Sequence, residues 1–346
     1  MSSGITEKDV ILRPEESSYN TWHNRDTKVA GAINKEVMEH YGLFSPIREG
    51  DVYVRHRGGL IEMPNRKALI ADLRHRDEAV PLHIASHRYE ILQNTDVWQT
   101  MELAMDEVDL PHKISCTGSL QSFSKFFISV EIGDGDGFVV NGDRFHGHLN
   151  FLTSHNGSLA LRILDSIIRV VCANTYQAAL DGNKNINFTV RHKKNAKQNA
   201  KRIAKHIGRI LQGRVRFTEE MEELASVKVA DSDIEAVVAG YFLNLAFEKG
   251  EKLEDFSTRT RNQIDGIAQL ARHGRGNSGQ TLYDVWNGVT EYYTSGDGVG
   301  KTTSEGSRAY SSEFGTGATR KQELTRYLVR GDYKTASEEA APLLAV

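Results

Sequence analysis

Apolar and polar residues alternate from His112 to Ile132 and again from Phe138 to Leu164, and Gly133, Gly135, Gly137 and Gly142 interrupt the alternation. A period of two broken by glycine is the pattern of antiparallel hairpins, so these stretches predict a central sheet. Shorter strand-like pieces precede it at Asp51 to Arg55, Leu82 to Ser86 and Tyr89 to Leu92. Between them and the sheet, Asn94 and Thr95 lead into Val97, Trp98, Met101, Leu103, Ala104 and Met105, the spacing of a capped amphipathic helix. The apolar run Ile167 to Ala173 fits either the end of the sheet or the start of a helix.

Beyond the sheet the period lengthens. Ala196, Ala200, Ile203, Ile207, Ile210 and Leu211 form one stripe and predict a helix over Arg191 to Gln212. Glu219 to Phe256 is acidic and helical in pattern, a short helix follows at Leu282 to Tyr293, Thr294 to Gly317 is rich in Gly, Ser and Thr, and Thr319 to Val329 predicts a last helix. The expected class is α+β: a central antiparallel β-sheet with flanking helices, a long basic amphipathic helix after the sheet, and a helical C-terminal part. The expected division is a polar, loosely attached leader over 1–50 with one short helix at Ile33, Val37 and Met38, a mixed core over 51–217, and a mainly helical region over 218–346.

At 346 residues, 39% hydrophobic and 26% charged, the chain has apolar material for one large core or two ordinary ones. Two cysteines, Cys116 and Cys172, exclude a disulfide framework and lack the spacing of a structural zinc site. No window reaches about 18 uninterrupted apolar residues and the N-terminus has no signal-peptide pattern, so neither export nor membrane insertion is expected, and the compartment expected is cytoplasmic. A net charge of -3 does not by itself announce a polyanion ligand. The distribution of charge does.

Between Gly182 and Thr218 there is no Asp or Glu, while Lys184, Arg191, Lys193, Lys194, Lys197, Lys201, Arg202, Lys205, Arg209, Arg214 and Arg216 crowd the interval. On a helix, Lys194, Lys197, Lys201, Arg202, Lys205 and Arg209 fall opposite the isoleucine stripe. Like charges at i,i+4 repel, so a purely cationic face calls for negative charge from elsewhere, and a phosphate backbone supplies it. Two rival readings are neutralisation by the acidic segment beginning at Glu219, in the same or a neighbouring subunit, and an anionic membrane surface. The second is weak because the stripe lacks Trp and Phe. Phe123, Phe126, Phe127, Phe145 and Phe151, with Lys125, Arg144, Arg162 and Arg169, offer a possible base-stacking platform on the sheet, against the alternative that the rings are core.

Two motifs raise enzymatic possibilities. Ser295 to Thr302, SGDGVGKT, comes within one residue of a phosphate-binding loop, but helical spacing precedes it and loop-like sequence follows it, where a strand and a helix are required. Asp134, Asp136, Asp143, His146, His148 and His155 could hold a divalent metal, as a nuclease would need; GDGDG also reads as a hairpin turn beside surface histidines. Neither motif implies a cofactor strongly enough to assign one.

Five separated stretches resemble the phage/plasmid-like family known as domain of unknown function 932. They are His87 to Asn94 (HRYEILQN), Ser154 to Ser158 (SHNGS), Arg169 to Thr175 (RVVCANT), Asn287 to Tyr292 (NGVTEY) and Phe314 to Ala318 (FGTGA). The chain departs from the family pattern at Asn156, where an acidic residue is usual, and at Ala173, where a polar or larger one is. The resemblance implies a phage or plasmid setting in a bacterial cell, hence DNA replication, recombination or repair. By analogy of fold and context it also implies a likeness to ring-forming single-strand annealing proteins. The expected function is therefore a non-catalytic, self-assembling binder of single-stranded DNA. Lys193, Lys194, Lys197, Lys201, Arg202, Lys205 and Arg209 would neutralise phosphates, and Arg162 and Arg169 would extend the groove. A metal-dependent nuclease and a structural or assembly protein without nucleic acid are the alternatives.

Overall fold

The computed structural model describes residues 6–16, 26–73, 76–107, 110–133, 137–169, 174–176, 188–204, 208–251, 253–295, 311–312 and 315–344. The chain is α+β and divides into two compact units. Residues 1–136, 147–165 and 184–211 form the first, and 137–146, 166–183 and 212–346 the second. The division does not follow the sequence order expected above, because two long strands carry the chain from one unit into the other.

In the first unit the principal sheet runs in the order β10–β9–β7–β6–β1–β2, where β1 is Ile11–Pro14, β2 Thr27–Val29, β6 His112–Leu120, β7 Lys125–Ile132, β9 Asp143–Ser154 and β10 Leu161–Arg169. A short strand β12, Phe188–Val190, pairs with β10 through Leu161↔Val190 and Arg162↔Thr189. The alternation read from His112 onward does form antiparallel strands, with Phe126, Ile128 and Val130 of β7 and Leu149 and Phe151 of β9 on the core side. The described residues of the N-terminal segment are not a loose leader. Leu12 of β1 is fully buried beside β6, Ile33 and Met38 are core residues, and α1 (Lys35–His40) is capped by Asn34, whose side chain accepts a 2.9 Å bond from the Val37 amide.

Three further strands, β3 (Ile47–His56), β4 (Gly59–Leu73) and β5 (Glu78–Ser86), make a separate antiparallel sheet. The 15-residue β4 is absent from the sequence expectation because charged residues and Pro64 break its apolar pattern. Tyr89 to Leu92, expected as a strand, is not one; it leads into α2 (Asn94–Asp106). Arg57 and Gly58 both take positive φ, 46° and 84°, the requirement of the tight turn that joins β3 and β4.

Of the helix expected over Arg191 to Gln212, residues 191–195 are not helical; α3 (Ala196–Ala204) follows, and α4 (Gly208–Ser226) begins after residues 205–207, which lie outside the described ones. Asn195, at φ 70°, breaks the chain before α3. Ala196 and Ala200 are buried in the first core as the stripe predicts; Ile207 and Lys205 lie outside the described residues.

The second unit is mainly helical. Its core joins Val140 and Phe145 to α4, α5 (Ile234–Glu248), α6 (Thr258–His273), α7 (Leu282–Ser295), α8 (Thr316–Val329) and α9 (Tyr333–Leu344). Phe145, Phe217 and Trp286 pack ring to ring at 5.7 and 5.8 Å between centroids. Within this unit β8 (Phe138–Val140) pairs with the start of β9, and β11 (Asn174–Tyr176) with the end of β10. The helix expected at Leu282 continues to Ser295; the rest of SGDGVGKT lies outside the described residues.

Candidate functional site

Three stretches that are distant in sequence meet in the first unit: Tyr89 to Asn94, Thr153 to His155, and Arg191 to Lys194. Asn94 opens α2. Its Nδ2 donates to the Leu43 carbonyl at 2.7 Å, which turns Oδ1 toward His155. That oxygen can only accept, so His155 Nε2 carries the proton and donates to it at 2.8 Å. The Nδ1 of His155 then presents a bare lone pair in the interior, with no hydrogen-bond partner. Burial, and secondarily His192, pushes the His155 pKa down to about 3, so the ring is neutral.

His192 is tied down in the same way. Its Nδ1 donates to the Glu90 carbonyl at 3.2 Å, and its Nε2 accepts from Thr153 Oγ1 at 3.3 Å. Burial lowers its pKa too, against the backbone bonds that raise it. The Glu90 amide donates back to the His192 carbonyl at 3.2 Å, and the Tyr89 ring stacks on the imidazole at 4.8 Å and 9°. Tyr89 Oη donates to the Ser154 carbonyl at 3.1 Å, and burial holds its phenol above the ordinary range. These contacts form a clasp. It fixes the point at which the basic segment leaves the sheet.

From the clasp the chain runs Lys193, Lys194, Asn195 and into α3, which packs on α2 through Ala196 and Ala200. Small side chains at that seam let the two helices approach closely, and the cations are left outward. Lys193, Lys194, Lys197, Lys201 and Arg202 are all exposed. Lys197, 53% exposed, nevertheless makes a 2.9 Å ion pair with Asp96 of α2. Lys201 shares a shallow hollow of about 440 Å³ with Glu102 and Asp106 of the same helix. Lys193, Lys194 and Arg202 have no carboxylate within ion-pair distance among the described residues. Part of the cationic face is thus answered by α2, a partner too distant in sequence for charge patterning along the chain to indicate.

The remaining expected residues are divided. Arg162 is half-buried on β10, opposite Thr189 of β12. Arg169 belongs to the second unit, and its side chain and that of Arg209 are outside the described residues, as is the whole of Lys205. The stacking platform is not formed: Phe123, Phe126, Phe127, Phe145 and Phe151 are all buried, and the consecutive Phe126 and Phe127 face opposite sides of β7.

The expected metal ligands do not come together among the described residues. Asp134 and Asp136 lie outside them, and no group of three metal-ligating side chains occurs within them. His148 is buried on β9, with Nδ1 3.0 Å from Ser115 Oγ, in register with Glu131; His155 is committed to Asn94. Both were expected on the surface. The burial of His148 follows from the β9 register and that of His155 accompanies its bond to Asn94, neither of which sequence alone supplies.

No helix among the described residues is long and apolar enough to cross a membrane. Comparison with known proteins adds one result: no curated protein and no solved structure matches the chain, but a family model, the domain of unknown function 932 (DUF932), matches residues 81–328. That span includes both halves of the clasp, the basic segment and helices α2 to α7, and the chain belongs to the domain of unknown function 932 family.

Proposed function

We propose that the chain binds nucleic acid through the phosphate backbone at Arg191 to Arg202, acting on single-stranded DNA in recombination or replication as a self-assembling, non-catalytic protein. The observation that supports this is a run of exposed cations, Lys193, Lys194, Lys201 and Arg202, displayed on a segment held by the Tyr89/His192 clasp and by the α2–α3 seam. Held cations lose less freedom on meeting a polyanion than cations on a loose chain, and counterion release supplies the driving force. Lys197 has a different part: paired with Asp96, it anchors α3. With the sheet phenylalanines buried, binding rests on the backbone term rather than on base stacking at those rings.

The ion pair to Asp96 and the hollow shared with Glu102 and Asp106 favour a second reading, in which the basic face serves assembly alone. Fluorescence anisotropy of a labelled single-stranded oligonucleotide at two salt concentrations separates the two. Under the first reading, log affinity falls with log salt by about 0.7 per neutralised phosphate, and the Lys193→Ala/Lys194→Ala/Arg202→Ala variant has a shallower slope while Lys197→Ala nearly keeps it. No binding at low salt refutes it, and oligomers weakened by the triple variant would then point to the assembly reading.

A further inference from the structure

The pairing of β4 with β5 ends at Arg66↔Ser86, so beyond that level only β3 and β4 remain as a two-stranded arm. Every residue from Tyr53 to Arg66 is exposed, on both faces of the ribbon. Among them are Tyr53, Val54, Leu60 (68% exposed), Ile61 and Met63. A two-stranded ribbon with neither face covered is marginal in water, and a soluble protein rarely leaves that many large apolar side chains together in solvent. The arm also carries Arg55, Arg57 and Arg66 against Glu62 alone, so it is net positive.

The second unit holds a surface of opposite character. Helix α5, IEAVVAGYFLNLAFE, is apolar almost all round, the composition of a helix covered on every side. Yet Leu243 is only partly buried and Phe247 is 79% exposed. They line a groove of about 880 Å³ with Leu253 and Leu343. Its rim carries Glu251, Asp332 and Glu339 against Arg330, net negative.

We infer that the arm of one copy docks in the α5/α9 groove of another. Leu60 and Ile61 enter beside Phe247, and the arm's arginines meet Glu251, Asp332 and Glu339. The arm and the α5/α9 groove are different surfaces of the chain, so the contact is heterologous and repeats head to tail, closing into a ring or extending as a filament. This deepens the self-assembly part of the proposed function and does not depend on nucleic acid.

The experiment uses two full-length variants, Leu60→Cys and Phe247→Cys, each with one introduced cysteine in a Cys172→Ser background that keeps the buried Cys116, carrying different affinity tags and oxidised without DNA. The expected result is a disulfide-linked heterodimer from the mixture and little dimer from either alone. The Leu60→Asp/Ile61→Asp variant, altered only at exposed positions, should keep the wild-type circular dichroism and weaken assembly at least tenfold by light scattering. Dimers from Leu60→Cys alone, no heterodimer from the mixture, or wild-type protein that is monomeric at every concentration would each overturn the inference. None of these outcomes bears on the oligonucleotide titration, so the two readings fail separately.

Discussion

Acid should loosen the first unit through His155. Its unfolded pKa is near 6.5 and its folded value about 3, so the unfolded chain takes up the proton first and stability is lost as pH falls from about 6.5 toward about 3. Two-state linkage between those values makes the loss about 2 kcal/mol by pH 5. The structural cause is that a proton on Nδ1 would be buried without an acceptor, next to a second imidazole. Urea denaturation at pH 7 and pH 5 should show this loss in the wild type. His155→Leu removes the titration but leaves Asn94 Oδ1 without its donor. That variant should be less stable at pH 7 by about 1–3 kcal/mol, and its loss between pH 7 and pH 5 should be smaller by about 2 kcal/mol. His192 titrates in both proteins, so the difference isolates His155. Parallel pH profiles for the two would refute the assignment of a neutral, buried His155.

Four further substitutions can be read by the same denaturation assay. Asp284→Ala should cost about 2 kcal/mol or more, because the carboxylate accepts bonds from the Ser278, Gln280 and Thr281 amides and two hydroxyls at the start of α7. Those bonds overcome burial and hold the Asp284 pKa below its ordinary value, so its contribution is present above pH about 4 and fades as pH falls through the folded pKa. Gly288→Ala should cost about 1–3 kcal/mol, since its Cβ would lie 2.6 Å from the Ala271 amide nitrogen and 2.9 Å from the Ile267 carbonyl oxygen, backbone atoms of α6 that cannot rotate away. Lys197→Ala should cost less than about 1 kcal/mol as an exposed ion pair. Asp96→Ala should cost more, about 1–2 kcal/mol, because Asp96 also accepts a 2.8 Å bond from the Gln93 amide in the capping box of α2.

The sequence by itself determined the local elements whose signals are local. Alternation and glycine punctuation give the antiparallel strands from His112 onward, Asn94 marks the start of α2, and the 3.6-residue spacing marks α7, α8 and the alanine seam of α3. It also marked the motifs that meet in the clasp, because His87 to Asn94 and Ser154 to Ser158 resemble the family to which the chain belongs. What only the tertiary structure decided is what faces what. Strand register sends His148 inward, the meeting of Asn94 with His155 sets that ring's tautomer, and the sheet phenylalanines become core instead of platform. The position of α2 beside α3 gives Lys197 a carboxylate more than 100 residues earlier in the chain. Periodicity reports which face of an element is apolar. It carries no information about which other element will lie against that face, and burial, tautomer and ion pairing are all set by that neighbour.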